Sequence, residues 1–137
     1  MTGIPAWAEA TPERRAHIER VAALAGEWAD ALGVAANERA RWQRAAYLHD
    51  ALKDAPAERL APHAPAGWNR PDLFHGPAAA ARAAQDGETD QGVLDAVAYH
   101  SVGYPGWDAA GRMLYLADFL EPGRVGQEQR AGLAARV

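Results

Sequence analysis

RWQRAAYLHDALKD (41–54) decides how this chain is read. Trp42, Ala45, Ala46, His49 and Leu52 recur at helical spacing, so the stretch reads as an amphipathic helix with one inward face. Asn37 stands where a cap belongs, and Arg39, Arg41 and Arg44 turn away from the stripe. The inward stripe carries a histidine, and an aspartate follows it among Tyr47, Leu48, Ala51 and Leu52. An ionised carboxylate in that company is costly unless it is paired or holds a cation. His49-Asp50 is therefore either a solvated turn of helix or the centre of a cation site.

The flanking sequence predicts more helices. Thr11-Pro12 reads as a cap followed by proline at the first helical position, and His17, Val21, Leu24, Trp28 and Leu32 follow on one face until Gly33 stops the helix. Pro56, Pro62, Pro65, Gly67 and Pro71 break residues 55–72 into a short helix near 56–61 and a loop. His75-Gly76-Pro77 opens a helix to about Gln85, closed by Gly87. Thr89 or Asp90 caps another, with Val93, Leu94, Val97 and Ala98 as its apolar side, ending near His100. SVGYPGWD (101–108) is a turn-rich loop. Asp108 caps AAGRMLYLADFLE, which Pro122-Gly123 stops, and a weak last helix is expected over 127–136. No run alternates with period two, so the expected class is an all-α, single-domain helical bundle over residues 1–137.

Composition bounds the chemistry. The chain of 137 residues is 49% hydrophobic, enough for a core, and has no cysteine, which removes thiolate zinc sites and disulfides. A net charge of −4 argues against a nucleic-acid polymer as partner. No apolar run approaches a membrane span and the N-terminus lacks a signal-peptide pattern, so the expectation is a cytoplasmic protein with no membrane partner.

Four of the five histidines, His17, His49, His75 and His100, fall at helix ends or on inward faces. Taken singly, His17 and His100 are better read as core or helix-end residues bonded to a carbonyl. The acids shift that balance. Asp118 is stranded in MLYLADFL and Asp50 has similar neighbours, while few cations face inward. A divalent metal, or a pair of metals, meets all these residues at once. Six candidate ligands (His17, His49, Asp50, His75, His100 and Asp118) exceed what a four-coordinate structural zinc uses, which favours a binuclear catalytic site bridged by Asp50. Imidazole and carboxylate together suit divalent transition metals and leave iron, manganese, zinc, nickel and cobalt all open.

The order His17, His49-Asp50, Asp118 resembles the H…HD…D pattern of the HD superfamily of metal-dependent phosphohydrolases. LFHGPAAAARAA (73–84), AVAYHSVGYPGWD (96–108) and LYLADFLEPGR (114–124) look like its YqeK-type bacterial members, the symmetrical diadenosine tetraphosphate hydrolases. The resemblance runs from about Arg14 to Arg124. It implies an HD-domain bundle and a dinucleoside polyphosphate substrate, cleaved to two ADP by a metal-activated hydroxide. It also implies that His17, His49, Asp50 and Asp118 hold one ion and that His75 and His100 complete the second.

Lys53, equally well a solvated lysine by position alone, takes a catalytic or phosphate-binding role by the HD-x-x-K spacing. Ser101, Arg112 and Arg124 become candidates for the substrate, although the two arginines also suit surface and carbonyl-capping roles. Tyr104 and Trp107 are read either as base-stacking or as core cover. The chain departs from its relatives at Ser101 and Trp107, where threonine and methionine are frequent, and in a shorter stretch after Arg124, where relatives carry helix that serves substrate or a homodimer. The alternatives are a phosphohydrolase for another nucleotide or phosphoester, and a metal-dependent nucleotide-binding module with little turnover.

Overall fold

The structure, a computed structural model, describes residues 3–121. Arg124 and the helix expected over 127–136 lie outside the described residues. Among the described residues six α-helices follow one another: α1 (Pro12–Leu32), α2 (Ala36–His49), α3 (Ala57–Leu60), α4 (His75–Gln85), α5 (Gln91–Ala98) and α6 (Ala109–Leu120). Short 3₁₀ turns cover Ala61–His63 and Pro71–Leu73. The described residues contain no strand, and the fold is an all-α bundle.

Helix α1 starts and ends as its sequence dictates. The Thr11 hydroxyl accepts the Arg14 N–H at 3.2 Å, and Pro12 occupies the first helical position. At the far end Gly33 adopts φ 66°, its N–H donates to the Asp30 carbonyl, and the Val34 N–H donates to the Ala29 carbonyl. That pairing is the Schellman motif.

The face α1 buries differs from the expected one. Ile18, Val21, Ala22, Ala25, Gly26 and Ala29 are buried, Leu24 and Trp28 are half-buried, and Leu32 is 71% exposed. Small residues let α1 lie close on α2, so the large side chains move to the edges of the seam. Wholly buried Ile18, Val21, Leu48, Val93, Val97 and Leu114 fill the layers between, each contributing about 1.5–3 kcal/mol.

Helix α2 is the central element, packed by α1, α4, α5 and α6. It begins at Ala36 with Ala35 at the cap and no side-chain cap bond, not at Asn37 as its sequence suggested. Glu38 serves the first turn instead, accepting from Arg41 at 2.9 Å and from the Trp42 indole at 2.7 Å. Arg41 also reaches Asp90 at 2.6 Å and Asp108 at 2.7 Å. Those two acids cap α5 and α6, accepting from Val93 and Ala110. One guanidinium thus anchors both helix starts against the early part of α2.

This anchoring sets the direction of the helices. α5 and α6 run the same way as α2, and their C-terminal ends arrive where α2 ends. α1 runs opposite, with Arg39 of α2 on Asp30 and Gln43 on the Ala22 carbonyl. α4 begins at that same end. There Gly76 packs so closely on α5 that a Cβ would stand 2.6 Å from the Ala98 carbonyl. The early part of α1, the ends of α2, α5 and α6, and the start of α4 therefore converge.

Candidate metal centre

Helix α2 stops at His49. Asp50 leaves it with φ −110° and ψ 15°, the sparsely occupied bridge region, and residues 51–54 form turns. The adjacent His49 and Asp50 therefore do not share a helix, and the Asp50 carboxylate points to the convergence of helices. It is almost fully buried.

Four imidazoles meet that carboxylate. His17 Nε2 lies 3.4 Å and His49 Nε2 3.6 Å from Asp50 Oδ2. His75 Nε2 and His100 Nε2 each lie 3.3 Å from Asp50 Oδ1. The residues fall into two donor groups, His17–His49–Asp50 and Asp50–His75–His100, in each of which the donor atoms lie within 4.8 Å of one another. Asp50 is common to both. Asp118, half-buried on α6, adds Oδ1 at 3.0 Å from His17 Nε2 and 3.8 Å from His49 Nε2.

Each ring is held by a bond at Nδ1 and turns Nε2 to the centre. His49 Nδ1 bonds the Ala46 carbonyl at 2.6 Å, His75 Nδ1 the Asp72 carbonyl at 3.1 Å and His100 Nδ1 the Val97 carbonyl at 2.7 Å. His17 Nδ1 bonds the Glu121 carboxylate at 3.2 Å. An acceptor at every Nδ1 places the proton there and leaves the Nε2 lone pair facing the centre, the tautomer a metal requires. Nε2 of His17 and of His49 are buried without an aligned hydrogen bond. Such unsatisfied polar atoms are rare in folded proteins, and a cation between them and the carboxylates satisfies them. The donor set thus fits divalent metal.

The electrostatics agree. Burial alone would push His17 down, but its contacts with Asp118 and Asp50 outweigh burial and raise it to about 9. Burial likewise opposes the upward shift of His49, which the Asp50 charge drives. Asp50 and Asp118 sit well below the usual carboxylate range, because the imidazoles around them override burial. His75 is pushed down by burial, helped by His100 and Lys53. Without metal, the carboxylates draw protons onto His17 and His49 as the available positive charge.

The HD domain model matches residues 14–124, with every one of these donors inside the matched span. The chain belongs to the HD-domain family. HD domains are metal-dependent, and the two donor groups are where this one can take up metal. The chain is 32% identical over 123 residues to the symmetrical bis(5'-nucleosyl)-tetraphosphatase of Bacillus subtilis (strain 168), a match covering 84% of this chain. It spans 64% of that relative's length. The fold resembles the crystal structure of an HD superfamily hydrolase from Clostridium acetobutylicum described as involved in NAD metabolism. The TM-score is 0.73 at 25% identity, over 90% of this chain and 69% of the other.

The other residues singled out by sequence are placed unequally around the HD centre. Lys53, half-buried in the turn after Asp50, donates to the Asp72 carbonyl at 3.4 Å, the same oxygen that receives His75 Nδ1–H. That sets the ammonium beside the His75–His100 half. Ser101 is exposed directly after His100. Arg112 is exposed, as in its surface reading, and donates to the Trp107 carbonyl at 3.0 Å. Tyr104 stacks on Tyr99 with centroids 4.4 Å apart. Trp107 donates to the Asp95 carbonyl and covers Gly111 as part of the packing. Arg124 lies outside the described residues.

Two contributors were not foreseen. Arg14 places Nη1 3.5 Å from Asp50 Oδ2 and Nε 3.5 Å from Asp54 Oδ2. Asp54 also accepts the Thr11 N–H at 3.1 Å and so ties the start of α1 to the turn that carries Asp50. Glu121, 1% exposed, receives His17 on one oxygen and Arg20 Nε at 2.6 Å on the other. The sequence signal for both was their place in the resembling stretch, Arg14 at its start and Glu121 within LYLADFLEPGR.

Proposed function

We propose that this HD domain is a hydrolase of phosphoric anhydride bonds that cleaves diadenosine tetraphosphate symmetrically to two ADP, using two divalent transition metals, iron first. One observation carries the reading: two donor groups share a single buried carboxylate, Asp50, with the Nε2 atoms of all four imidazoles turned toward it. A pair of divalent ions there supplies water activation near neutral pH and charge neutralisation at phosphate oxygens. His17, His49, Asp50 and Asp118 would hold one ion, and Asp50, His75 and His100 the other.

The rest of the work falls to the chain's own side chains. Arg14 reaches the His17 half and Lys53 the His75 half, so a phosphate chain laid over Asp50 would meet a cation at either end. The activity for which the Bacillus subtilis relative is named supports a tetraphosphate-bridged dinucleotide of this kind. A second reading, another dinucleotide with an anhydride bridge, follows from the description of the Clostridium acetobutylicum neighbour as acting in NAD metabolism. A cytoplasmic location is proposed alongside; no helix among the described residues is long and apolar enough to cross a membrane.

The test is product analysis on metal-stripped protein reconstituted with Fe(II) or Mn(II), offered diadenosine tetraphosphate and NAD. ADP as the one nucleotide product supports the proposal, whereas AMP plus ATP overturns the symmetrical cut. Turnover of NAD alone favours the second reading. Asp50→Ala should lose about a thousand-fold in rate and both ions, since several kcal/mol of charge stabilisation go with the metals at 1.36 kcal/mol per decade. Full activity in that variant would sink the mechanism.

A further inference from the structure

Of the four imidazoles, only His17 rests its Nδ1 on a charged group. His49, His75 and His100 use backbone carbonyls of residues three positions earlier, which come with the local turn. Glu121 arrives from 104 residues away, directly after α6, and is 1% exposed. A carboxylate so buried has to be held. Arg20, one turn after His17 on α1, does this with Nε at 2.6 Å from Oε2 and Nη2 at 3.4 Å from Oε1. The guanidinium itself stays partly in water, 40% exposed, so ionised Glu121 keeps a paired charge without a second fully buried ion.

We propose that Glu121, locked by Arg20, is a positioning residue that fixes the ring orientation and Nδ1–H tautomer of His17 and strengthens His17 as a metal donor. The proposal rests on the reading of the site as a metal centre. A carboxylate accepting the Nδ1–H makes the opposite nitrogen a better donor than a carbonyl does, and loss of such a partner typically costs about 10–100-fold in metal affinity. The effect is one-sided. His17 lies in the His17–His49–Asp50 group, while His75 and His100 keep their own carbonyl acceptors. Loss of Glu121 therefore weakens one ion of the pair and spares the other. Arg20, which touches no metal donor, acts one step further out.

The experiment is calorimetric titration of metal-stripped protein with Mn(II), for the parent chain and for Glu121→Gln, Glu121→Ala and Arg20→Gln. Far-ultraviolet circular dichroism and a denaturation curve are taken on each metal-free sample. The parent should bind two ions. Glu121→Gln, which keeps an oxygen acceptor without the charge, should weaken one of them about 10-fold, Glu121→Ala about 100-fold, and Arg20→Gln less than either. The other ion should bind as in the parent. Equal weakening of both ions, in proportion to lost stability, would mean a merely structural role and overturn the proposal. Parent-like binding in both Glu121 variants overturns it while leaving the metal reading intact, whereas a parent that binds no ion overturns both. If Glu121→Ala fails to fold, the near-isosteric Glu121→Gln decides the matter.

Discussion

At the scale of the residue, the protonation of His17 links folding, pH and metal. Its metal-free pKa of about 9 lies above the ordinary 6.5, so the imidazolium contributes stability that is fully present below pH 6.5 and is lost as pH rises through 9. Asp50 and Asp118 are depressed, so their contribution is present above 3.8 and is lost as pH falls. Metal-free protein should therefore lose up to about 3 kcal/mol between pH 6.5 and 9.5, read from urea melts across that window. With metal bound, the ion replaces the proton and the slope should vanish. Uptake at pH 7 should release at least one proton, measured by calorimetry in buffers of different ionisation enthalpy. A flat metal-free profile would remove the charge argument. His49, Asp50 and Asp118 were legible in the sequence because polar groups in apolar runs need a partner. Glu121 was not, since an acid at a helix end before Pro-Gly defaults to solvent, and only the crossing of α1 buries it. Arg14 was missed for a similar reason: it lies off the buried stripe and reaches Asp50 through the length of its side chain.

At the scale of the element, Gly76 governs how the second donor group is assembled. His75 is the first residue of α4, and His100 follows the last turn of α5. Their Nε2 atoms are 3.0 Å apart because the two helix ends touch without a side chain between them. Gly76→Ala adds a methyl group against backbone, which cannot swing aside. It should cost about 1–3 kcal/mol in a denaturant melt and weaken the ion at His75 and His100 more than the ion at His17 and His49. Unchanged stability and binding would show that α4 shifts freely. Among the described residues, helix number and most ends were readable from caps and breakers: Thr11, Gly33, Asp90 and Asp108 act as expected. The start of α2 and the buried face of α1 were not. Arg41 and Trp42 draw Glu38 into the first turn of α2, and alanine outcompetes leucine and tryptophan where two helices must lie close.

At the scale of the whole molecule, the donors come from five segments gathered at one end of the bundle, and like-charged carboxylates meet there. Each ion bound at about 100 times its dissociation constant should add about 2.7 kcal/mol and raise the melting temperature by roughly 10 °C, reversed by chelator. Scanning fluorimetry with and without Mn(II) reads this directly, and an unchanged midpoint would contradict the binding model. The convergence of His17 with Asp118 carries one more consequence. This chain has no cysteine, so no covalent bridge can tie its early helix to its late one. A loaded centre does that job, closing a loop of about a hundred residues much as a disulfide would. It is a cross-link that opens to a chelator or to acid and is indifferent to reductant.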